Sequence, residues 1–560
     1  MKTLKKIFCG ALALCMIFTF AACGDNKQAE VNKLDDLKII NVMLSTNVMS
    51  LDCNLATDGD SFEVIAGCID GLTQMDSEGA AVPALAESWD VSDDGLTWTF
   101  HLRDAKWSNG DPVTANDFVF AWKTACLKNE EYGYMLDSSV GCVKNADAIM
   151  YDGADVDTLG VSAKDDKTFV VELEAPVSFF DSLMYFPTFY PLNEKFYTGL
   201  EEGTYGTSPE TFLSCGAYLL SDYTPGTASF TLSKNPDYWD AANIDIDGIK
   251  YQVVGSSDNA LTAFKNGSLD LVAISGDQVA AVKADAELSK KLKVTGAGYM
   301  WYLTFSQTKN NADGLLANTN LRLAFTNAID RESLVENYVM DGSLATFTAV
   351  PPQFAASATT GEDFSADQKK FQQYCDFNVA KAQEYLEAAK KELGKDSFNF
   401  TMIFGNNEGD EVTKVAQAIK EQVEANLPGV TIDLQAMSKA ERLDKMQKDN
   451  YEVALTRWGP DYADPMTYMG MWITDNANNY GFWSNADYDQ LIKDCTTGAY
   501  VSDYDARWAA LYEAEEIAMS EAVIAPLYTK ASANLINEKL SGVDFHPVAL
   551  NRVYKGATVK

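Results

Sequence analysis

Apolar positions recur along this chain at two spacings, and the change from one to the other marks out its elements. Polar and apolar residues alternate strictly in Thr97-Trp98-Thr99-Phe100-His101-Leu102-Arg103, with Asp94-Gly95 and Asn109-Gly110 as turns at either side, so a hairpin strand is predicted there. The period then switches: Thr114 and Asp117 have capping-box spacing and open a helix carrying Phe118, Phe120, Ala121 and Trp122. Further strands are predicted at 37–44, 168–173, 230–232, 249–254, 398–404, 430–434 and 451–455. Helices are predicted at 61–72, 258–266, 321–329, 379–393, 410–426 and 439–447, with Gly267 closing the second of them. From about residue 300 the two kinds of element interleave, which implies an α/β domain with an open sheet.

The strand at 451–455 leads into Arg457-Trp458-Gly459-Pro460-Asp461-Tyr462-Ala463-Asp464-Pro465. Two prolines exclude a strand or helix interior, so this is a loop past a strand end, with Asp461 between Trp458 and Tyr462. A carboxylate held there can be desolvated enough to fix a cationic group, because rigid scaffolds often carry binding groups on such loops. The same residues also suit an ordinary surface turn.

Length and charge narrow the classes. A chain of 560 residues is too long for one core and implies two or three domains. With 44 Lys and Arg against 81 Asp and Glu, the net charge of −37 argues against a nucleic-acid surface. Lys2, Lys5 and Lys6, then the apolar run 7–20, then Ala21-Ala22 read as an export signal over 1–22. Phe20-Ala21-Ala22-Cys23 resembles the lipobox of bacterial lipoproteins, with Phe20 where Leu is usual, so lipidation of Cys23 and a polar tether over 23–36 are expected. Seven cysteines follow Cys23; Cys53 with Cys68 and Cys126 with Cys142 are the candidate disulfides, and an odd number leaves at least one thiol free. Only two histidines occur, His101 and His546, and no GxSxG, HExxH, P-loop or complete GxGxxG is present, since Gly296-Ala297-Gly298 lacks the third glycine. No catalysis, cofactor or metal is expected.

In order, the chain carries Ala86-Glu87-Ser88-Trp89, the 94–122 stretch, Lys234-Asn235-Pro236-Asp237-Tyr238-Trp239-Asp240, Phe264-Lys265-Asn266-Gly267-Ser268-Leu269-Asp270 and Gly481-Phe482-Trp483-Ser484-Asn485. These blocks resemble the solute-binding lipoproteins of ABC peptide importers, the oligopeptide- and dipeptide-binding family, across nearly all of the mature chain. The resemblance implies an α/β, periplasmic-binding-protein-like two-lobed clamp of the class II type with three domains, one of them an insertion. On this sequence, domain I would take 37–71, 196–299 and 526–560, domain II the inserted 72–195, and domain III 300–525.

The aromatic-rich 94–122 stretch would then be core packing in the inserted domain. The family captures a peptide's α-ammonium with the aspartate of a W-x-x-D-Y motif, which Trp458-Gly459-Pro460-Asp461-Tyr462 matches in register. Tyr302 and Tyr528 carry over as candidate wall residues, with a core or hinge aromatic as the alternative for each. Leu455 stands where some members have an arginine that grips the ligand's carboxylate, which leaves open how the ligand's C-terminus is treated. The implied partners are a peptide ligand, a permease with its ATPases, and the membrane through lipid on Cys23, the protein itself being a monomer. Same-fold binders of nickel chelates or oligosaccharides, and receptors for peptide signals, are the alternatives.

Overall fold

The computed structural model describes residues 37–560, apart from Glu78, Asn129, Glu130, Ala358 and Ser502. The signal segment 1–22, Cys23 and the remainder of the tether to residue 36 lie outside the described residues. Two long strands, Leu292–Phe305 and Ile524–Ile536, form the spine of an eleven-stranded mixed sheet. They pair antiparallel, Leu292 to Gly296 against Leu535 to Ala531 and Met300 to Thr304 against Thr529 to Ile524. The register breaks between Gly296 and Met300 and again between Trp301 and Tyr302. Irregularities of this kind bend and twist a strand locally.

Each half of the spine serves a different half of the sheet. Ile524–Ile536 pairs through Ile536 to Ala533 with Leu271–Ile274, which leads to Ile39–Leu44, Gly248–Val253, Ser229–Lys234 and Tyr218–Leu220. Leu292–Phe305 pairs through Met300 to Phe305 with Val453–Trp458, which leads to Phe398–Gly405 and Val430–Met437. Gly296-Ala297-Gly298, an incomplete dinucleotide fingerprint by sequence, lies at the register break. Gly298 has φ +70°, and a Cβ there would collide with the Pro547 carbonyl and the Pro460 ring. Only glycine fits that approach.

A separate four-stranded sheet runs Ala86–Val91, Thr97–Leu102, Thr168–Glu172, Val161–Asp165, covered by the helix Ala115–Lys128. Half of the expected capping box forms: the Asp117 carboxylate accepts the Thr114 N–H at 2.8 Å and the Trp107 indole N–H at 3.3 Å. Phe100, Phe118, Trp122 and Phe169 interlock beneath it, with Trp122 edge-on to Phe169 at 5.1 Å, so these aromatics are core.

Residues 39–560 form one compact unit. A buried ion pair ties the first helix, Gly59–Cys68, to the C-terminal segment: Glu63 accepts hydrogen bonds from Arg552 Nε and the Tyr554 hydroxyl, both at 2.8 Å. The expected disulfides do not form. All seven cysteines described are free, and all but Cys142 are buried, where thiols behave as small apolar groups. Among the described residues no helix is long and apolar enough to cross a membrane.

Candidate functional site

The strand Val453–Trp458 ends at the edge of a cavity of about 650 Å³. Residues 134–142 and 176–179 supply one wall, and the loop from Trp458 to Asn478, with residues 495–497 and Arg507, supplies the other. Asp461 lies between them. Prolines make this loop: Pro460 packs on Gly298, and Pro465 starts the short helix Met466–Met469. Thr467 holds it in shape, since its hydroxyl accepts the Asp461 N–H and the Trp458 indole N–H, each at 3.4 Å. Tyr468 fastens the next turn by donating its hydroxyl to the Gly298 carbonyl.

The two acids of the loop differ in their partners. Asp464 is buried, accepts the Met466 N–H at 2.9 Å, and forms a bidentate pair with Arg507 at 2.7 and 2.9 Å. Asp461 is half-buried and forms no ion pair among the described residues. It accepts a hydrogen bond from the Tyr134 hydroxyl of the opposite wall. Burial pushes its carboxyl up to about 6, with Glu131 adding to the rise and the Tyr134 bond opposing it. Asp461 thus has room for a cation and a cavity to receive one.

The walls also meet directly. Phe179 stacks on Tyr462 with ring centres 4.8 Å apart and planes within 5°, and the Tyr504 hydroxyl donates to the Ser178 carbonyl at 3.3 Å. Such an offset aromatic contact contributes about 0.5–1.5 kcal/mol beyond its buried area. No cluster of metal-ligating side chains occurs among the described residues.

Comparison with known proteins settles the family. Residues 80–480 match the family model described as bacterial extracellular solute-binding proteins, family 5 middle. The chain belongs to that family. The dipeptide-binding protein of Lactococcus lactis subsp. cremoris is 32% identical over 549 residues, 96% of each chain. The oligopeptide-binding protein OppA of Bacillus subtilis is 30% identical over 552 residues, covering 97% of this chain and 96% of its own. Among solved structures, Listeria monocytogenes OppA bound to peptide is 30% identical, with a TM-score of 0.72 over 94% of this chain and 99% of that one. A family 5 solute-binding protein is extracellular and is not an enzyme, and the mixed α/β architecture is that of its solved relatives.

Within this family 5 protein, three of the residues singled out by sequence line the cavity: Trp458, Asp461 and Tyr462. Gly459 stands behind them against Tyr299, where a Cβ would run into the ring. Tyr302 and Tyr528 are elsewhere. Both are fully buried in the spine strands, and Tyr528 stacks on Trp301 at 6.0 Å, so they pack the sheet instead of facing the cavity. Alternation along a strand sends neighbouring aromatics to opposite faces, which the chain alone does not resolve. Sequence reading missed Tyr134, Phe179, Thr467 and Arg507. Nothing local marks Tyr134, which sits 327 positions from the acid it meets.

Proposed function

We propose that this protein is the extracellular substrate-binding subunit of an ABC peptide importer, capturing peptides in the cavity and delivering them to the permease. The observation that carries this reading is Asp461, an acid without an ion-pair partner among the described residues, set at a cavity between two walls of different chain segments. A peptide's α-ammonium complements it, because a desolvated carboxylate needs a charge-assisted partner. The backbone amides common to all peptides would be held by main chain, giving tolerance of sequence. An oligosaccharide carries no such cation.

The supporting architecture is proposed as three domains, 37–71 with 196–299 and 526–560, then 72–195, then 300–525. The four-stranded sheet falls wholly inside 72–195, which supports the insertion. The other two boundaries fall within continuous strands, so the proposed crossings are the spine itself, near its register breaks. Ligand would close the walls by preferring the closed arrangement. A lipid on Cys23 would hold the monomer at the outer face of the membrane.

The deciding measurement is calorimetric titration with a peptide and its N-acetylated form. Acetylation is expected to abolish binding; equal affinity overturns the assignment of the amine to Asp461. The same titration has a pH signature. Below about 6 the ligand-free Asp461 carboxylate takes up a proton and the ammonium loses its partner, so affinity falls as pH is lowered. Above that value affinity holds level until the peptide amine itself deprotonates, at about 7.7–8.0. A profile unchanged between pH 5 and 7 would exclude Asp461 as the group that meets the amine.

A further inference from the structure

Resting on the reading above, we infer that the cavity selects peptides by charge: it excludes ligand carboxylates, both acidic side chains and the C-terminus, from the enclosed volume. The basis is an inventory of its walls. Among the described residues that line it, the charged side chains are Asp461 and Arg507. Arg507 is already neutralised, because both its terminal nitrogens bind Asp464 and its Nε donates to the Cys495 carbonyl at 3.2 Å. The nearby Arg457 does not line the cavity: its Nε lies 3.3 Å from the buried Glu408, which it shares with Arg442, and its guanidinium sits over the Tyr299 ring at 4.7 Å. An ammonium entering the cavity finds Asp461, whereas a carboxylate finds no uncommitted cation among the described residues that line it and meets that same acid as a like charge.

The surroundings deepen the asymmetry. Burial pushes the thiol of the wall residue Cys142 up to about 12, with Asp137, Asp147 and Glu174 adding to the rise. Glu131 acts on Asp461. In a partly dry cavity, like charges repel far more strongly than in water. Discrimination of this kind comes from what the site rejects as well as from what it binds. The C-terminal carboxylate of an accepted peptide therefore lies beyond the cavity, so ligand length is not measured at that end. Asp464 sets this specificity by occupying Arg507.

The test uses the full chain and a tetra-alanine series: the free acid, its C-terminal amide, its N-acetyl form, and free acids with Lys, Gln or Glu at the second position. Amidation is expected to leave the dissociation constant within about threefold or to tighten it, and Glu to bind at least about tenfold more weakly than Gln, with Lys no weaker than Gln. Amidation that weakens binding about tenfold, or Glu binding as well as Gln, overturns the inference. The N-acetyl peptide judges the underlying reading separately, since it tests Asp461 alone. If none of the free-amine peptides binds, that reading falls and this one with it. In Asp464→Asn the freed Arg507 is expected to reverse the preference, so that the free acid binds more tightly than the amide. A folded Asp464→Asn protein with the parent's preference refutes the role of Asp464, and should that variant not fold, the series on the parent protein still decides the charge selection.

Discussion

Replacing Asp461 by Asn lowers peptide affinity about 100- to 1000-fold while leaving the ligand-free protein at least as stable as the parent. The first half follows from the cost of stranding one member of a buried charge pair, about 3–5 kcal/mol, taken at its lower end because Asp461 is half-buried. In the proposed complex the stranded group is the ligand's ammonium. The second half follows from the ligand-free geometry. Asn still offers an oxygen to the Tyr134 hydroxyl, and the burial that raises the Asp461 carboxyl to about 6 no longer penalises a charge. Calorimetry with a free-amine peptide and a melting curve without it measure the two halves. A variant that loses affinity and melts well below the parent would point to a structural role for Asp461.

The second large effect is one of stability alone. Arg552→Leu leaves the Glu63 carboxylate, fully buried and already raised by its burial, with the Tyr554 hydroxyl as its remaining partner of the two described. A loss of about 3–5 kcal/mol is expected, because removing one partner of a buried ion pair strands the other. Denaturant unfolding should show a lower midpoint, and adding Glu63→Gln should recover part of the loss. Peptide affinity should stay at the parent value wherever the variant is folded, since neither residue lines the cavity. Unequal affinities would mean that the C-terminal segment reaches the site through the sheet.

The elements that could be read from the chain are those whose signals are local. Val379–Leu393, Asp410–Asn426 and Lys439–Gln447 lie where their apolar spacing puts them. The helix Tyr504–Ser520 escaped because it buries Arg507 and Glu515 among its apolar positions, and buried charges blur the stripe that marks a helix. The spine strands escaped for a related reason. Gly296 and Gly298 interrupt one, and Lys530 and Ser532 the other, and the two strands lie more than two hundred residues apart.

The site divides in the same way. The placement of Trp458, Asp461 and Tyr462 at a cavity was legible through a short motif. Tyr134 and Phe179 reach the same cavity from another segment, and contacts of that range leave no trace in local spacing. Tyr302 and Tyr528 show the converse, since aromatics near the right strands point into the core.

The paired spine strands also set the mechanics of the molecule. A two-stranded antiparallel ribbon resists being sheared or stretched along its length, because either motion breaks its ladder, yet such ribbons tolerate large changes of twist. Here both connections between the two halves of the sheet run side by side in one ribbon, with the register breaks at its middle. The ribbon works like a torsion strap: it couples the halves stiffly in two directions and leaves one soft. A cross-link between the two strands at their register breaks would therefore stiffen rotation of the halves.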